Sequence, residues 1–168
     1  AYRSWGGKEP CPSIAIVDSS SAGLTGSGGS FDEIIYRGNG GADQVMLVDS
    51  AGADMLTGGV VGGVLTFALQ GPGFRNQVEG VADVNAAASR GGVDQALIAD
   101  SAGHDLFIAQ PTVATLAASN FNLDLFTFES VRVTTSDGTD RAVLQDDASN
   151  RIDTLIGRAA SANLSGLG

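Results

Sequence analysis

Apolar residues fall along this chain in short runs, and almost nowhere do they keep a helical period. The runs cover 14–17, 33–36, 45–48, 64–69, 96–99, 106–109, 123–128, 131–134, 142–144 and 154–156. Most are four to six residues long and are flanked by Gly, Asp, Ser or Asn, which is the punctuation of strands and turns. Only 113–118 and 158–164 have the spacing for a turn or two of helix. The pattern predicts an all-β chain.

The runs are organised in copies. Residues 43–54 read D-Q-V-M-L-V-D-S-A-G-A-D, and residues 94–105 read D-Q-A-L-I-A-D-S-A-G-H-D. A degraded third copy starts at Asp140, and a partial one covers Ile14 to Gly23. Asp43 and Asp94 are 51 residues apart, and Asp94 and Asp140 are 46 apart. A second landmark, Phe31-Asp32-Glu33-Ile34, lies 12 residues before Asp43. Phe128-Glu129-Ser130-Val131 lies 12 before Asp140, and Val78-Glu79-Gly80-Val81 precedes Asp94 in the same role.

Units of this length cannot bury a face alone but can when stacked. About four short strands per unit fit two coils of a solenoid, at roughly 23–25 residues per coil. The expected fold is therefore a parallel β-solenoid (β-helix) of about seven short coils, roughly 34 Å long at ~4.8 Å per coil. It would form one domain over 1–168, with an N-terminal extension 1–12, a repeat body 13–157 and a tail 158–168. Val45, Ala96 and Ala142 would stack in one interior column, and Leu47, Ile98 and Leu144 in another. The competing architecture is an antiparallel β-sandwich of many strands. Alternation also turns Met46, Leu97 and Val143 outward, and an exposed apolar stripe marks an interface unless a loop covers it.

Composition narrows the function classes. The 168 residues include 24 glycines, and aromatics make up only 6%. The net charge is −10, the pI is about 4.2, and Lys8 is the only lysine. Without a basic patch, nucleic acid and anionic membrane surfaces are poor partners. Acidic, lysine-poor chains suit a secreted protein or one that holds divalent cations. Cys11 is the single cysteine, so no internal disulfide forms. No run approaches the roughly 18 apolar residues of a spanning helix. No signal peptide is visible at Ala1, as expected of a processed chain or a piece of a longer one.

The chemistry on offer is mostly carboxylate. Gly41-Ala42-Asp43, Gly52-Ala53-Asp54, Gly92-Val93-Asp94, Gly103-His104-Asp105 and Gly138-Thr139-Asp140 all read Gly-x-Asp. In a strand-turn-strand repeat this is similar to the calcium-binding nonapeptides of RTX proteins, which makes Asp43, Asp54, Asp94, Asp105 and Asp140 candidate calcium ligands. Calcium is the only cofactor the pattern suggests. The spacing departs from that family, since the Gly-x-Asp pairs are 11 apart around an Asp-Ser-Ala-Gly turn. Aspartates in such turns also cap backbone N–H groups. The Asp-Ser-Ala-Gly segment lacks a base for its serine, and His104, the only histidine, replaces Ala53 of the preceding copy. A zinc site is not supported by one His and one Cys. Asn163-Leu164-Ser165 is a glycosylation sequon.

The assembled unit resembles the long tandem repeats of very large secreted or surface proteins of environmental bacteria, notably planctomycetes. Gly92 to Asp105, Pro111-Thr112 and Phe74 to Gly80 carry the likeness. It covers residues 38–147 well, and implies an extracellular structural or adhesive role without a catalytic residue. Three functions follow as expectations. The first is a surface module or subunit of a self-assembling filament, joined head to tail with itself, with surface glycans as a further candidate partner. The second is a calcium-stabilised RTX-like binding module. The third is a carbohydrate-active β-helix enzyme, a reading that the many carboxylates keep open.

Overall fold

The computed structural model describes residues 32–38, 40 and 42–145 in full, and the backbone of four further strands within 13–27 and 154–165. Among the described residues every regular element is a strand. β1 (Ser13–Asp18) and β2 (Ser21–Ser27) form a hairpin, and β3 (Glu33–Arg37) follows. The first full unit has five strands: β4 (Gln44–Val48), β5 (Met55–Val61), β6 (Val64–Gly71), β7 (Phe74–Glu79) and β8 (Asp83–Ala87). The second has five more: β9 (Gln95–Ala99), β10 (Leu106–Ala109), β11 (Val113–Ala117), β12 (Asn122–Phe126) and β13 (Ser130–Thr134). β14 (Arg141–Leu144) opens the third copy, and β15 (Thr154–Arg158) and β16 (Ser161–Ser165) complete the set. Among the described residues of 113–118 and 158–164 the expected short helical turns are not found, because Val113–Ala117, Arg158 and 161–164 belong to strands.

The strands make two eight-stranded mixed sheets. The first runs β14-β10-β11-β12-β8-β4-β1-β2, and the second β15-β16-β13-β9-β5-β6-β7-β3. Their facing sides share one core, from Val45, Leu47 and Leu123 of the first sheet to Leu56, Phe67 and Ile98 of the second. This corrects the parallel solenoid. The arrangement is sandwich-like, with parallel and antiparallel neighbours in both sheets.

The physical reason lies in the turns. β5, β6 and β7 form an antiparallel meander, and so do β10, β11 and β12. The β5–β6 turn places Gly62 and Gly63 at φ 59 and 84°. Two successive positive φ values are what a tight two-residue hairpin needs. Pro72-Gly73 closes the next hairpin with a different turn, in which proline takes the first central position and only Gly73 has a positive φ, 80°. The chain therefore doubles back inside each unit, where a solenoid would advance by a coil.

The expected columns change with it. Val45 aligns with Val84, which aligns with Leu123, all in the first sheet. Ala96 aligns with Leu56 and Val131 in the second. Ala142 lies beside Phe107 in the first sheet and is exposed. The opening strand of successive copies thus alternates between sheets: β4 in the first, β9 in the second, β14 in the first. Met46 and Val143 are half-buried in the first sheet, and Leu97 is exposed in the second, so they form no single outward stripe.

Candidate metal centres at the unit junctions

Each Asp-Ser-Ala-Gly segment is the corner at which the chain passes from one sheet to the other. Asp49 follows β4 in the first sheet, and Asp54 precedes β5 in the second. Asp100 and Asp105 bracket the equivalent corner between β9 and β10. The first aspartate of the following unit is brought to each corner by parallel pairing, β5 with β9 and β10 with β14. The result is two equivalent triads, Asp49–Asp54–Asp94 and Asp100–Asp105–Asp140. In each, one carboxylate oxygen per residue lies within 4.8 Å of the others.

The Gly-x-Asp phrase makes this approach possible. Gly92, at φ 117°, lies so close to the Gly52 carbonyl that a Cβ would overlap it. Gly138, at φ 143°, is packed in the same way on the Gly103 carbonyl and forms a parallel bridge to it. A glycine two residues before the third aspartate therefore lets one unit's backbone close onto the previous corner.

Five of the six carboxylates are buried, Asp140 is half-buried, and they are only partly satisfied. Asp49 and Asp94 are 0% exposed. Asp54 accepts from the Ser50 N–H at 2.7 Å and the Ser50 hydroxyl, and Asp105 accepts from the Ser101 N–H at 3.1 Å and the Ser101 hydroxyl. These two act as turn caps. The others tie neighbouring corner loops together with one oxygen each. Asp94 Oδ1 accepts from the Asp54 N–H at 2.7 Å, Asp49 Oδ2 from the Arg90 N–H at 2.9 Å, and Asp100 Oδ1 from the Ser136 N–H at 2.7 Å. Their second oxygens, Asp49 Oδ1, Asp94 Oδ2 and Asp100 Oδ2, are buried without a hydrogen-bond partner. Orphaned buried carboxylate oxygens are costly and rare in native folds.

The electrostatics agree. Burial pushes the Asp94 carboxyl up to about 6, against the backbone N–H of Asp54, and the charges of Glu129, Asp54 and Asp49 push it in the same direction. Asp49 and Asp100 are also raised, first by burial, with the carboxylates of their own triads adding to it. Arg90 offsets Asp49 only in part.

The donor set selects a class of ion. All three ligands of a triad are anionic oxygens, with no His or Cys, which suits a hard divalent cation. Calcium takes oxygens at about 2.3–2.6 Å, so opposite ligands stand about 5 Å apart, and the triads fall within that span. Four of the five aspartates expected as calcium ligands, Asp54, Asp94, Asp105 and Asp140, are thus brought together in pairs. Asp43 is buried at the start of β4 and, among the described residues, joins neither triad. In the sequence, Asp49 and Asp100 belong to the Asp-Ser-Ala-Gly turn and are not among the expected ligands. Their signal was parity: Asp43, Val45, Leu47 and Asp49 share the inward face of β4, and Asp94, Ala96, Ile98 and Asp100 that of β9. An aspartate that continues an inward apolar alternation asks for a partner.

His104 is exposed and its Nδ1 meets the Thr139 carbonyl at 3.2 Å, outside the triads. Asn163 lies on β16, and its side chain is outside the described residues, as is Cys11. No protein-family model, curated protein or solved structure matches this chain.

Proposed function

We propose that the chain is a calcium-stabilised β-sandwich module of an extracellular protein, in which divalent cations at the corners hold successive repeat units together. The orphaned oxygens of Asp49, Asp94 and Asp100 carry this reading. Each belongs to a triad completed by the next unit, so an ion there cross-links units and satisfies buried charge in one step. The acidic, lysine-poor composition suits a calcium-rich exterior. What the module presents to the outside is a structural or adhesive surface, and the role of the ions is to stiffen it.

Melting the full chain with EDTA or with calcium tests the reading. Two sites, each saturated a hundredfold over its Kd, contribute about 2.7 kcal/mol apiece, which raises Tm by about 10–20 °C at this size. Asp49→Asn removes one buried charge. It is expected to raise Tm in EDTA while losing at least half of the calcium-induced rise. No rise with calcium, magnesium or manganese would overturn the proposal.

A further inference from the structure

We infer that the two cation sites are coupled through β9, so that an ion at one raises the affinity of the other. This rests on the triads being cation sites, as proposed above.

The coupling follows from where the ligands stand. Asp94 is the residue before β9 and Asp100 the residue after it. One five-residue strand therefore carries a ligand for each site at its two ends, roughly 20 Å apart by strand rise. β9 is an interior strand of the second sheet, between β5 and β13. Its register is unbroken along β13 from Gln95 opposite Ser130 to Ala99 opposite Thr134, and it also pairs with β5 from Met55–Gln95 to Gly58–Ile98. Ala96 and Ile98 are buried, so a slip of the strand would displace core side chains.

Without an ion, like charges crowd both ends of this strand. Asp94 faces Asp49, Asp54 and Glu129, and Asp100 faces Asp105 and Asp140. Repulsion at either end works against the pairing of β9 and raises the cost of holding it in register. The Gln95 N–H meets the Asp54 carbonyl at 3.0 Å, and the first ion, by neutralising Asp94 against Asp49 and Asp54, removes the repulsion that works against this bond. Because the register is continuous, fixing the start of β9 also fixes its end. Asp100 is then already held toward Asp105 and Asp140, with the Ser136 N–H on its Oδ1. The second ion meets an ordered strand, and the cost of ordering falls on the first alone.

Coupling must be reciprocal. Asp49→Asn disables the first site and Asp105→Asn the second, and neither residue lies on β9. Calcium isotherms of the full chain and both variants, by calorimetry, close the cycle. The wild-type chain is expected to fill both sites at free calcium well below what the two variant isotherms, added together, require. The two remaining sites should be weakened by the same factor, on the order of tenfold. If the summed variant isotherms reproduce the wild type, coupling is overturned while the sites stand. If the wild-type chain binds no divalent cation, the sites themselves fail. Should a variant not fold, the wild-type titration decides: a Hill slope above one sustains coupling, and a slope at or below one with two ions bound overturns it.

Discussion

Asp94 gives up its water on folding and receives a single hydrogen bond at Oδ1, with three other carboxylates close by. Its carboxyl titrates near 6, well above an unfolded aspartate, so the proton binds the folded chain more tightly than the unfolded one. The sign follows. In EDTA this group contributes stability that is fully present below the unfolded pKa, about 4, and is lost as pH rises through about 6. Asp49 and Asp100 are raised in the same direction and add to the trend. A cation needs the ionised form, so calcium reverses the preference. Tm measured from pH 5 to 7.5 is expected to diverge between EDTA and calcium as pH rises. Parallel curves would mean that the triads do not exchange protons for an ion.

At the scale of elements, the turns decided what the strands could build. Each of the apolar runs that the sequence marks overlaps a strand, because four to six alternating residues between turn formers leave few other choices. The pairing of those strands was less legible. Val61-Gly62-Gly63-Val64 and Gly71-Pro72-Gly73-Phe74 are hairpin signals, and they outweigh the tendency of a repeat to stack in parallel. β2, β5, β7 and β8 lie outside those runs, and Val78 to Val81, a landmark of the repeat, is the end of β7 and the turn to β8. Glycines separate into two kinds on the same grounds. Gly62 has a positive φ and no atom within 4 Å of an added Cβ, whereas Gly92 has a positive φ and a carbonyl in the way. Gly62→Ala should cost about 1 kcal/mol from conformation alone. Gly92→Ala should cost at least about 2–3 kcal/mol and weaken calcium binding at the first site, since it pushes Asp94 off the Asp49–Asp54 corner. Urea denaturation with and without calcium separates the two, and equal costs would remove the close approach of Gly52 and Gly92 from the account of the junction.

Across the whole molecule, the alternation of sheets makes the units interdependent. The first unit places two strands, β4 and β8, in the first sheet and three, β5 to β7, in the second, while the second unit does the reverse. A unit alone would set a two-stranded layer against a three-stranded one and leave apolar surface uncovered. The neighbour covers it. Phe67 of β6 meets Phe121, which precedes β12 of the next unit, with ring centroids 5.3 Å apart in an edge-to-face contact. The sheets are also continuous across the junction, through β8–β12 in one and β5–β9 in the other. Repeat proteins whose units touch only at their faces can unfold unit by unit. Here each junction combines two sheet ladders, a shared core and a triad of ligands, so the calcium-loaded chain should unfold as one block. Leu56→Ala probes the first unit in the second sheet, and Leu123→Ala the second unit in the first sheet; both leucines are 0% exposed. Each truncation should cost about 2–5 kcal/mol. Both variants are expected to shift one and the same urea transition, with its slope unchanged, whether followed by far-ultraviolet circular dichroism or by hydrogen exchange of either unit's amides. A variant that melts its own unit while the other stays protected would show that the junctions are weaker than the two ladders, the Phe67–Phe121 contact and the aspartate corners together imply.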